Sequence, residues 1–196
     1  MNTARLLAAS IAIAAPVFAQ GPAQSFRDAY PGVITLSVDA TDLDRHVFRV
    51  KESIPVNAGA LRLLYPQWIP GHHSPGGHIK LLTGVKLMGA GTEIAWHRDP
   101  SDVFAFEVVV PRGVETLEAT FEYLSPLKDD QGRVNVTQQL VAVDWNDVVL
   151  YPAGVRTDGI RVQASVRFPR DWTIATSLTP FTRIQSRAAS PSCRRA

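Results

Sequence analysis

Two stretches of the chain alternate strictly between apolar and polar side chains. Leu117, Ala119, Phe121 and Tyr123 are interleaved with Glu118, Thr120 and Glu122; Val162, Ala164, Val166 and Phe168 are interleaved with Arg161, Gln163, Ser165 and Arg167. Successive side chains of a strand point to opposite faces, so this period of two predicts strands with one dry and one wet face. Weaker alternation predicts further strands over Val33–Val38, His46–Val50, Leu61–Tyr65, Ile79–Leu87, Val103–Val110 and Leu140–Trp145. No segment beyond the first twenty residues carries a sustained helical period. The runs are separated by Tyr30-Pro31-Gly32, Asn57-Ala58-Gly59, Gly89-Ala90-Gly91, Pro111-Arg112-Gly113, Asp130-Gln131-Gly132 and Thr157-Asp158-Gly159. Each supplies residues that tolerate positive φ or preset a turn. Many short strands at this spacing predict an all-β fold, a single antiparallel β-sandwich, with sheet edges blunted by charges such as Lys51, Glu52 and Arg112.

The two ends break the pattern. Met1–Ala19 combines Arg5, an uncharged apolar run from Leu6 to Ala15, Pro16 and a small-residue close at Val17-Phe18-Ala19. That is the grammar of a secretory signal peptide, with cleavage expected after Ala19 and a second candidate site at Ala23. The run is shorter than the roughly 20 residues needed to cross a bilayer, and no later stretch approaches that length. Export to the periplasm or the extracellular space is therefore expected, with the sandwich occupying residues 20–182. Residues 183–196 have almost no apolar side chains, which predicts a disordered tail. Their Arg-, Ser-, Ala- and Cys-rich composition is also what a shifted reading frame would give.

Charge and cysteine change this picture little. The formal net charge of +2 is carried by the ends, since residues 20–182 hold fifteen basic against eighteen acidic side chains. A mildly acidic body argues against nucleic-acid binding, which calls for positive charge on the folded surface. Cys193 is the single cysteine, so no internal disulfide forms, and its position in the tail does not suit a nucleophile.

The most unusual segment is Leu64–His78, with three of the five histidines, three prolines and three glycines. His72, His73 and His78 become metal-ligand candidates if the Pro75-Gly76-Gly77 turn doubles back, although their spacing matches no helical zinc motif. A rigid polar surface loop explains them more simply. Trp68, Trp96, Trp145 and Trp172 suit core packing better than a sugar-binding platform. Asp99, Asp102, Asp144 and Asp147 suit turns and caps better than an acid–base pair. Ser74 has no nucleophile-elbow context, and Asn135-Val136-Thr137 is a bare glycosylation sequon. H-E-x-x-H is absent throughout, so no helix here presents two zinc ligands and a general base.

Pro66-Gln67-Trp68-Ile69-Pro70-Gly71-His72-His73 resembles the Pro-x-Trp-x-Pro-Gly-x-Tyr signature in the N-terminal domain of the glycyl aminopeptidase family of zinc metallopeptidases. Pro66, Trp68, Pro70 and Gly71 match it, while His73 stands at the tyrosine position and Ser74–His78 replaces the residues that follow. Trp96–Phe106, Leu150-Tyr151-Pro152-Ala153-Gly154 and Phe168–Leu178 resemble later segments of that domain, the last as its closing strand. The resemblance spans about Val33 to Pro180. It implies a non-catalytic β-sandwich beside a thermolysin-like zinc domain, often followed by a PDZ domain, in an enzyme that removes N-terminal residues from peptides. It also implies that Pro66–His73 can wall the substrate cleft, that zinc belongs to the parent enzyme, and that the chain alone, as a fragment of it, hydrolyses nothing. A fragment would expose the face that meets the catalytic domain and self-associate through it. The alternative is a stand-alone secreted module that grips a peptide or glycan with Trp68 and the histidine loop; a small exported metal-binding protein is a third reading.

Overall fold

The computed structural model describes residues 30–69, 71–176 and 178. The expected signal peptide, Pro70 and the expected tail with Cys193 lie outside the described residues. Among the described residues ten strands run in order: β1 (Val33–Asp42), β2 (Val47–Pro55), β3 (Gly59–Leu64), β4 (Leu82–Gly89), β5 (Thr92–Ile94), β6 (Trp96–Arg98), β7 (Ala105–Val110), β8 (Thr116–Leu124), β9 (Tyr151–Pro152) and β10 (Arg161–Arg167). Six form one sheet in the order β10-β1-β2-β8-β4-β5, and four form a second in the order β6-β7-β3-β9. All pairings are antiparallel except β1 with β10. The expected antiparallel sandwich is present, with a parallel strand added at one edge.

The alternation read in the sequence is what buries the core. Ile34, Leu36, Val38 and Ala40 of β1, Phe48, Val50 and Ile54 of β2, and Leu117, Ala119, Phe121 and Tyr123 of β8 all point inward. They meet Leu63 of β3 and Phe106, Val108 and Val110 of β7 from the other sheet in one cluster. Each fully buried side chain of this size contributes on the order of 1.5–3 kcal/mol, so the three central strands dominate stability. The six turn signals fall at or between strand ends. The sharpest is Gly89–Thr92, where Ala90 (φ 48°) and Gly91 (φ 79°) both adopt left-handed backbone. Positive φ at both central residues matches the twist of the two strands it joins.

Three expectations fail, each for a local reason. Leu140–Trp145 is not a strand: a single bridge, Val136 with Val141, stands there. Val141 and Val143 lean on the core edge without a partner strand, and alternation reports only which side is dry. Phe168–Thr176 carries no strand either. Pro169 has no N–H to donate and Asp171 sits at φ 66°, so the ladder stops at Arg167. Lys51 and Glu52 do not guard an edge, because β2 is flanked by β1 and β8.

Glu52 instead occupies the dry face of β2 between Val50 and Ile54 and is 1% exposed. Its Oε2 accepts the backbone N–H of Leu150 at 3.0 Å, a bond that ties the middle of the larger sheet to the chain entering β9 of the smaller one. Oε1 is buried without a hydrogen-bond partner. Burial pushes the carboxyl up to about 8, against the partial relief of the Leu150 N–H. The native state therefore holds this proton over a range in which the unfolded chain has released it. The contribution of Glu52 to stability is greatest below the unfolded value near 4.3 and falls as pH rises towards 8, by up to about 1.4 kcal/mol per unit. Glu52→Gln keeps an acceptor for Leu150 and removes the ionisation. Urea unfolding at pH 5 and pH 8 should show a decline for the wild type that is flattened in the variant; equal slopes would contradict this role.

Candidate functional site

The signature loop leaves β3 at Leu64 and returns to β4 through a short 3-10 turn at Ile79–Leu81. Its base is pinned by backbone bonds: Tyr65 N–H to Phe104 O at 2.8 Å, Gly77 N–H to Gln67 O at 3.0 Å, and Leu81 N–H to His78 O at 2.9 Å. Gly77 packs so tightly that a Cβ there would lie 2.0 Å from the Pro66 carbonyl oxygen. Only glycine permits that crossing, so the two arms of the loop lie against each other. Gly71 turns the tip at φ 87°, and Trp68, Gly71, His72 and His73 are exposed. Pro66 is half-buried.

Beneath this loop lies a polar cluster. His78 Nδ1 lies 3.0 Å from Asp147 Oδ1, which also accepts Asn146 Nδ2–H at 2.9 Å. Tyr65 donates its hydroxyl to the Asp147 carbonyl oxygen at 3.2 Å, and the Tyr123 hydroxyl stands 3.5 Å from His78 Nδ1. Asp147 is 1% exposed and its Oδ2 has no partner, so burial raises its pKa against the opposing pull of Tyr123 and His78. Burial and then the Asp147 charge raise both tyrosines. With Asp147 ionised, His78 donates from Nδ1 and turns Nε2 outward as an acceptor. The cluster joins β8, both arms of the loop and the Trp145–Asp147 turn.

The three candidate metal ligands do not converge here. The His72 and His78 rings meet edge-on with centroids 6.5 Å apart, His78 is engaged by Asp147, and the described residues contain no group of three His, Cys, Asp or Glu set to hold an ion. This donor set does not fit zinc. Of the tryptophans, Trp96 is half-buried on Phe106 with its ring N–H on the Val85 carbonyl, and Trp145 and Trp172 are half-buried. Trp68, 65% exposed, departs from the expected core packing and lies in the loop after β3 rather than on a strand.

Asp99 and Asp102 do serve a turn. Asp99 Oδ1 accepts the Ser101 N–H at 2.7 Å, and Asp102 Oδ1 accepts the Phe104 N–H at 3.1 Å. Both also grip Arg62, at 2.6 and 2.9 Å, with Glu107 at 2.8 Å. Hydrogen bonds from Ser101, then from Arg62, hold the Asp99 carboxyl well below the usual range. Asp147 lies in the Trp145–Asp147 turn, in line with the expectation, but is also buried, which was not expected. Its neighbours Val148 and Leu150 are core residues, which was the available signal. Asp144 precedes the 3-10 turn without capping it through its side chain.

Residues 35–188 match the model of the peptidase M61 N-terminal domain. The chain belongs to that family. The M61 N-terminal domain is thus the scaffold on which the loop and the His78–Asp147 cluster sit, and the glycyl aminopeptidase resemblance is borne out. The fold also resembles the crystal structure of an aminopeptidase N family protein from Idiomarina loihiensis, with a TM-score of 0.54 and 17% identity over 70% of this chain. The chain spans 22% of that protein's length. No curated protein matches the sequence.

The cluster makes a checkable demand on stability. Asp147→Ala should cost about 1–3 kcal/mol by stranding the His78 imidazole and the Asn146 amide that bond its carboxylate, while Tyr65 keeps the backbone carbonyl. In a double-mutant cycle with His78→Ala, urea unfolding should return a coupling of about 0.5–3 kcal/mol. Additive losses would mean that the pair does not hold the loop.

Proposed function

We propose that this chain is the non-catalytic N-terminal domain of an exported, zinc-dependent aminopeptidase, and that it supports peptide hydrolysis only when joined to a catalytic domain. The match to the M61 N-terminal domain over residues 35–188 carries the reading. In this role the sandwich contributes shape. The loop Pro66–His73, stiffened by the Gly77 crossing and seated on His78 and Asp147, presents Trp68 as one wall of a substrate cleft. Zinc and the general base belong to the catalytic domain, consistent with a donor set here that suits neither. The N-terminal nineteen residues direct export, so the working compartment is the periplasm or the medium.

The alternative module that grips a peptide or glycan by itself draws on Trp68, the one tryptophan that is well exposed. A lone ring gives no coplanar platform, so the cleft-wall reading takes precedence.

Mass spectrometry of the native secreted product decides between them. The peptidase reading predicts a polypeptide much larger than residues 20–196, cleaving glycyl or alanyl anilides in a chelator-sensitive manner, while the purified chain cleaves neither. A native product limited to residues 20–196 would overturn it.

A further inference from the structure

The two sheets have four edges among the described residues, and three of them are very short: β5 and β6 have three residues each and β9 has two. Short edges protect themselves from stray pairing. β10 is different, with seven residues and only β1 as partner. Its second row of backbone N–H and C=O groups is bonded to no described strand.

Its inner face is only partly covered, with Ala164 and Val166 leaning on the core and Val162 open. Val162, Ala164 and Val166 stand in register with Ile34, Leu36 and Val38 and so share their face of the sheet. Ile34 is 0% exposed, whereas Val162 is 44% exposed and Ala164 and Val166 are half-buried. The opposite face of β10 carries Arg161, Gln163, Ser165 and Arg167. Arg167 pairs with Asp39, and Arg161 has no ion pair among the described residues.

We propose that the free edge of β10 is a strand-addition site for an extended peptide that alternates apolar with acidic residues. Such a peptide continues the ladder, covers Val162 and Val166 with its apolar side chains, and sets carboxylates beside Arg161 and Arg167. Main-chain bonds supply affinity in this mode and alternate side chains supply selectivity. A second copy of the chain fits poorly. Antiparallel pairing of two β10 edges about Ala164 places Arg161 opposite the other copy's Arg167, and like charges directly opposite are destabilising. The inference goes beyond the peptidase reading and does not rest on it, since it concerns an edge remote in sequence from the signature loop.

Fluorescence anisotropy with labelled heptapeptides tests it. A peptide alternating glutamate with valine should bind saturably. A lysine–valine peptide and a backbone N-methylated glutamate–valine peptide should each bind roughly tenfold more weakly or worse. Arg161→Glu, at an exposed position, should weaken the glutamate peptide and strengthen the lysine one. Absence of saturable binding would overturn the proposal. So would equal binding of the N-methylated peptide, which would reduce the site to charge alone, or of the lysine peptide.

Discussion

Everything in this domain depends on burying one face of β2 and β8 against the smaller sheet. Those two strands run the length of the larger sheet's centre, paired from Val47–Leu124 to Pro55–Thr116. Their inward side chains meet Leu63, Phe106 and Val108 across the layer. A one-residue slip would turn that whole set to solvent, so register and core specify each other. Glu52 lies within this buried face. Its bond to the Leu150 N–H fixes how the chain entering β9 seats on the larger sheet, and it costs stability whenever the carboxyl ionises.

The candidate site follows from the same constraint. Tyr65 and Tyr123 are core residues whose hydroxyls emerge at the end of the sandwich under the signature loop. Buried polar tips need partners, and Asp147 and His78 supply them. The loop is therefore anchored by the core, with its exposed tryptophan and histidines at the far end. A loop built this way is stiff at its base.

Much of this was legible in the sequence. The β-sandwich, the turns and the strands at Leu117–Tyr123 and Arg161–Arg167 follow from a period of two punctuated by glycine and proline. The signature residues Pro66, Trp68 and Gly71 marked the loop correctly. What escaped depends on long-range pairing. Alternation could not tell that β10 runs parallel to β1, nor that Val141 and Val143 lack a partner strand. Glu52 could have been flagged, because it interrupts the apolar series Phe48, Val50, Ile54 on one face of β2. The meeting of His78 with Asp147, sixty-nine residues apart, had no local signal. Nor did the enclosure of Arg62 by Asp99, Asp102 and Glu107, which joins β3, β7 and the Asp99–Asp102 turn.

The stability of this domain resides in β2 and β8, and the edge strand β10 and the loop after β3 open more easily. Native-state hydrogen exchange on the purified chain tests it most directly. Amides of β2 and β8 should exchange only through global unfolding, while those of β10 and the 66–78 loop exchange through smaller openings at lower free energy. Exchange of β2 and β8 as fast as the loop would contradict the account, because the sandwich would then not stand by itself.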